Sequence, residues 1–137
     1  MELHNNVKLS RGISPTAAGT DNTAYVSQIL DTANFQNNEL GILIGTNTDA
    51  DATFTVLIEE GAAANLSDAS AVADADLLGT EAEASFDYSD DNETRKIGYI
   101  GAKRYIRATI TPANNAAGNI YLSACWLQTG ARKAPVV

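Results

Sequence analysis

Short apolar runs that alternate with period two constrain this chain more than any other feature. Phe54, Val56 and Ile58 fall on one side of such a run and Thr53 and Thr55 on the other. Ile106, Ala108 and Ile110 alternate in the same way with Arg107, Thr109 and Thr111. Successive side chains of a strand point to opposite faces, so these runs predict strands with one packed and one wetted face. β-Branched and aromatic runs recur at 23–30, 39–46, 52–60, 95–100, 104–111 and 119–128. In the last of these, Ile120, Leu122, Ala124 and Trp126 share one face, and Tyr121, Ser123, Cys125 and Leu127 the other. Apolar residues on both faces predict a central strand.

Turn chemistry separates the runs. Asn and Asp side chains at 47–51, Gly101 at 101–103 and the Pro112 to Gly118 stretch predict tight connections between antiparallel neighbours. Residues 59–91 are the least regular, with 68–78 suited to a helical turn or two and 84–88 to a short strand. No strand–helix–strand alternation appears. The expected fold is therefore all-β, an antiparallel β-sandwich or jelly-roll-like domain over 22–129. It carries an extended N-terminal arm at 1–21 and a C-terminal tail at 130–137.

Charge is segregated along the chain. Of the residues between Gly12 and Thr94, sixteen are acidic and none is Lys or Arg, whereas 95–137 hold seven bases and no acid. Residues 59–93 alone carry eleven carboxylates. A net charge of −8 disfavours nucleic acid as a partner, because phosphate binding needs clustered Lys and Arg. Two readings of the segregation stay open: an acidic loop of one copy meeting a basic segment of its neighbour, or ion pairing within one chain. On the first reading the interface residues are Lys8, Arg11, Arg95, Lys96, Lys103, Arg104, Arg107, Arg132 and Lys133.

Chemistry is sparse. His4 is the only histidine and Cys125 the only cysteine, so a nucleophile–histidine pair would depend on a terminal arm to orient its base, and a closed zinc site cannot form within one chain. Asp49, Asp51, Asp87, Asp90, Asp91 and Glu93 offer hard oxygen ligands for calcium, but neither loop has EF-hand spacing. Gly98 and Gly101 precede no helix, so they form no phosphate loop. No enzyme activity, cofactor or metal is expected. The N-terminus lacks the basic and apolar regions of a signal peptide, and no segment approaches the roughly 20 apolar residues of a membrane span. The expected product is cytoplasmic, with no membrane partner.

The run Lys96-Ile97-Gly98-Tyr99-Ile100-Gly101-Ala102-Lys103-Arg104-Tyr105-Ile106-Arg107, continuing to Pro112, resembles a segment of small head decoration (capsid cement) proteins of long-tailed phages. Residues 27–33 leading to 41–46, and 50–60 followed by 75–80, extend the resemblance over 27–127. It implies a structural virion protein on the outer surface of the capsid, made in the host cytoplasm. Its partners would be the major capsid protein and further copies of itself, commonly as a homotrimer. The residues alone also admit another virion β-sandwich, such as a tail or fibre-base component. A carbohydrate-binding module that stacks sugars on tyrosines is a third reading.

Overall fold

The computed structural model describes residues 2–136; Met1 and Val137, the outermost residues of the expected arms, lie outside it. Two antiparallel sheets pack face to face as a sandwich. The first sheet has five strands in the order β1 (Val7–Ile13), β11 (Ile120–Ala131), β4 (Phe35–Asn47), β9 (Thr94–Tyr99) and β7 (Leu77–Leu78). The second has six, led by β2 (Tyr25–Val26), β10 (Tyr105–Ala113), β5 (Thr53–Gly61) and β6 (Ser70–Ala71). β3 (Leu30–Asp31) pairs with β10, and β8 (Phe86–Asp87) with β5. A 3-10 turn (Asp74–Asp76) and the one-turn helix α1 (Glu81–Ala84) complete the excursion between β6 and β8.

The alternating faces pack as their pattern predicts. Leu40, Ile42, Ile44, Ile97, Ile120, Leu122 and Trp126 of the first sheet bury against Phe54, Val56, Ile58, Ile106 and Ile110 of the second. Each such side chain contributes about 1.5–3 kcal/mol by leaving water. Phe54 and Phe86 stack with ring centroids 4.9 Å apart. Several buried polar groups find partners: Trp126 Nε1 donates to the Gln28 carbonyl at 3.3 Å, and Gln128 Nε2 donates to Asn38 Oδ1 at 2.8 Å and to the Asp31 carbonyl at 3.1 Å.

Several elements depart from expectation. The run at 23–30 is broken into β2 and β3, because the buried Ser27 hydroxyl accepts the Ala108 amide at 2.9 Å and turns to the Gln28 carbonyl. Residues 7–13, expected within an extended arm, form β1 at the edge of the first sheet. Ile13 enters the core, and Gly12 lies so close to β11 that a Cβ there would sit 2.8 Å from the Ala124 carbonyl oxygen.

The largest correction concerns the three expected hairpins. Each of these connections crosses from one sheet to the other: β4 to β5, β9 to β10 and β10 to β11. The turn chemistry is present but closes arches. Asp49 Oδ1 accepts the Asp51 amide and its Oδ2 the Ala117 amide, while Thr48 Oγ1 accepts the Asn119 amide, so the two arches at that end are lashed together. At the 100–104 arch, the Tyr99 hydroxyl donates to Glu60 Oε2 and accepts the Lys103 amide at 3.0 Å. Burial and the hydrogen bond to Glu60 both push the Tyr99 phenol well above its ordinary value, so it stays protonated.

Candidate interaction surface

The outward face of the first sheet is apolar where a solvated face would be polar. Facing residues place Leu9, Leu127, Glu39, Gly98 and Leu78 in one row across all five strands. The next row is Arg11, Cys125, Gly41 and Lys96, and beyond it lie Ser123, Leu43 and Thr94. Leu9 is 64% exposed and Leu43 57%. The missing side chain at Gly41 leaves a shallow depression of about 480 Å³, walled by Leu43, Leu127, Cys125, Ser123, Thr94 and the stem of Lys96. The Cys125 thiol is turned to the Ser10 carbonyl at 3.3 Å. Glu39 lies over Gly98, and burial pushes its carboxyl above the usual range despite the nearby Lys96.

The outward face of the second sheet is mainly polar, with the exposed Val26 and Leu57 on either side of Thr109 as its apolar exceptions. Thr55 stands directly opposite Thr111, Thr109 opposite Leu57, and Arg107 opposite Glu59. Two ion pairs cross this face: Arg107 to Glu59 at 3.0 Å, and a two-pronged contact in which Arg104 Nε and Nη2 each meet an Asp31 carboxylate oxygen at 2.9 Å. The Arg104 guanidinium holds the Asp31 carboxyl below the usual range.

The structure divides the nine candidate bases. Arg104 and Arg107 are paired within the chain as described, and Arg95 meets Asp90 at 3.2 Å and Glu93 at 2.6 Å. The others make no ion pair among the described residues. Lys8 lies over the Phe35 ring at 5.7 Å and Arg11 bonds the Ser14 hydroxyl, both on β1. Lys96 flanks the Gly41 depression. Lys103 is exposed in its arch, and Arg132 and Lys133 are exposed just beyond β11. Intrachain pairing thus takes up Arg95, Arg104 and Arg107, while Lys96, Lys103 and the bases of β1 and the C-terminal tail make no ion pair among the described residues.

Sequence reasoning did not find the apolar outer face. Leu9 lay in a segment expected as an arm, and Leu43 and Leu127 become neighbours only once β4 and β11 are paired. Its local signals were Leu43 between Leu40, Ile42 and Ile44, and the apolar second face of the last strand, Tyr121, Cys125 and Leu127, which was read only as a mark of a central strand.

Other chemistry finds little geometry. His4 is exposed near the N-terminus. Among the described residues no three His, Cys, Asp or Glu side chains are placed to hold a metal ion. Asp49 and Asp91 instead accept backbone amides, the latter from Asn47 at 2.8 Å. Trp126 is buried, whereas Tyr88 and Tyr121 are exposed.

No protein family and no curated protein matches the sequence. Solved structures give distant likenesses. The N-terminal part of Clostridium thermocellum xylanase 10B, comprising CBM22-1 and GH10 modules in complex with xylohexaose, is 8% identical with a TM-score of 0.44, over 96% of this chain and 26% of that one. The CBM35 module from Paenibacillus barcinonensis is 9% identical with a TM-score of 0.41, over 88% of this chain and 91% of that one. Latent PorU from Porphyromonas gingivalis is 9% identical with a TM-score of 0.38, over 90% of this chain and 12% of that one. The chain spans about a quarter of the xylanase it resembles, and likenesses this distant say nothing of its function.

Proposed function

We propose that this chain is a non-catalytic structural protein that docks on a protein lattice, as an outer decoration subunit of a tailed-phage capsid. The observation that carries the reading is the outward face of the five-stranded sheet, where Leu43 and Leu127 wall the depression at Gly41, Leu9 lies beside Leu127, and Arg11 and Lys96 flank the row. An apolar patch rimmed by charge is the surface expected of a protein contact. The resemblance around 96–112 names the lattice. A subunit that binds the assembled shell and not its separated parts stabilises the shell by linkage, and no chemistry is required of it.

Co-sedimentation with expanded, undecorated capsids tests this reading. Saturable binding at a fixed ratio to the major capsid protein is expected. The double substitution Leu43→Asp with Leu127→Asp should weaken it at least about a hundredfold by burying charge in the contact. Thr55→Asp with Thr111→Asp, on the opposite face, should leave it unchanged. Absence of binding, or binding indifferent to the leucine substitutions, overturns the proposal.

A second reading, a carbohydrate-binding module, rests on the exposed rings of Tyr88 and Tyr121. Glycan-array binding that Tyr121→Ala abolishes would establish it in place of the first.

A further inference from the structure

The two lateral edges of the sandwich are unlike, and each fits the other. One edge of the five-stranded sheet is β1, a seven-residue strand whose only ladder partner among the described residues is β11. It carries the exposed Leu9, with Lys8 beside it and Arg11 two residues on, neither in an ion pair among the described residues. The C-terminal tail returns to this edge, where the Val136 amide donates to the Asn5 carbonyl at 3.0 Å just ahead of β1. The opposite edge is β7, whose only ladder partner among the described residues is β9. Its outward residue is Leu78, 55% exposed. Acids flank it on both sides, Asp74 and Asp76 in the preceding 3-10 turn and Glu83 in α1. None of these three makes an ion pair among the described residues.

Leu9 and Leu78 end the same transverse row on the same face, four strand spacings or about 19 Å apart. A second copy laid alongside, with its β1 next to this β7, would continue the sheet. It would bring Leu9 against Leu78, and Lys8 and Arg11 against Asp74, Asp76 and Glu83. Pairing β1 with another β1 would instead gather four cations, and pairing β7 with another β7 would gather six carboxylates. Like charges so placed are repulsive.

We infer that copies of this chain associate head to tail, the basic β1 edge of one docking on the acidic β7 edge of the next. Such a contact is heterologous, so it closes into a ring or propagates. It uses the two ends of the outward row, Leu9 and Leu78, rather than the depression at Gly41, and it does not rest on the capsid reading.

Sedimentation velocity of the free protein, without capsids, is the first test. Self-association at low salt is expected, with the dissociation constant rising about tenfold or more at high salt. A head variant, Lys8→Glu with Arg11→Glu, and a tail variant, Asp74→Lys with Glu83→Lys, should each be monomeric alone. Mixed together they should associate again, because the reversed edges are complementary. Cross-linking covers the case in which a charge variant misfolds. In a Cys125→Ser background, Leu9→Cys with Leu78→Cys should give interchain disulfides on oxidation, and either single cysteine should give far fewer. A wild-type protein monomeric at low salt overturns the inference. So does a tail variant that associates as wild type does, or a Leu9→Cys protein that cross-links to itself as efficiently as the double variant.

Discussion

The two outward faces of the sandwich share a core and treat their surfaces in opposite ways. The five-stranded face leaves leucines and a glycine depression in water and holds its acid, Glu39, among apolar neighbours. The six-stranded face exposes Val26 and Leu57 but is otherwise made of threonines and paired ions, and it gives its acid, Asp31, a guanidinium. The first arrangement forgoes solvation that a partner's surface can make unnecessary, whereas the second is complete in water. An exposed sheet face is therefore informative less by how apolar it is than by whether its charged groups already have partners.

The strongest way to break the comparison is to ask whether the faces stand separately. Trp126 is buried between the sheets, and Trp126→Ala should cost about 3–5 kcal/mol. Urea unfolding should still show one transition, since both faces rest on the same core; two transitions would mean that the sheets unfold apart.

A smaller effect sharpens the contrast. A Cβ at Gly45 would lie 2.7 Å from the Tyr121 carbonyl oxygen, so Gly45→Ala forces β4 from β11 and should cost about 1–3 kcal/mol. Thr55→Ala on the other face should stay within about 0.5 kcal/mol in the same urea series.

The smallest effect is a difference of sign with pH. Glu39 titrates above the usual range in the folded protein, so the folded state holds its proton longer and stability from this group falls as pH rises through that window. Glu39→Gln should therefore raise the melting temperature slightly at neutral pH, and the gain should vanish in acid. Asp31 titrates below the usual range, so its stabilisation is present at neutral pH and lost as pH falls through the lowered value. Asp31→Asn should lower the melting temperature slightly at neutral pH and have no effect in strong acid. Melting curves of both variants across pH decide whether the opposition holds.

The sequence carried the inward faces well, because alternation fixes which side of a strand is buried. Phe54, Val56 and Ile58 were readable for that reason, as were Ile106, Ala108 and Ile110. Alternation is silent about which strand lies alongside, so the arches at 48–52, 100–104 and 114–119 read as hairpins from their turn residues. β1 escaped notice because its alternation of Val7, Leu9 and Arg11 with Lys8 and Ser10 is polar on the inward side, where the sandwich is open. The partnering of Arg104 with Asp31 spans 73 residues, and no local pattern reports a distance of that kind.

The arches also govern how the chain reaches its fold. The long strand pairs join distant parts of the chain, and Cys125 meets Ser10 across 115 residues. β1 has no neighbour until β11 has been synthesised, and β4 waits for β9 and β11. Loop closure must therefore precede nearly all the reward of pairing, which places the chain among slow folders of high contact order. On the ribosome the first strands therefore emerge well before the partners that complete their ladders.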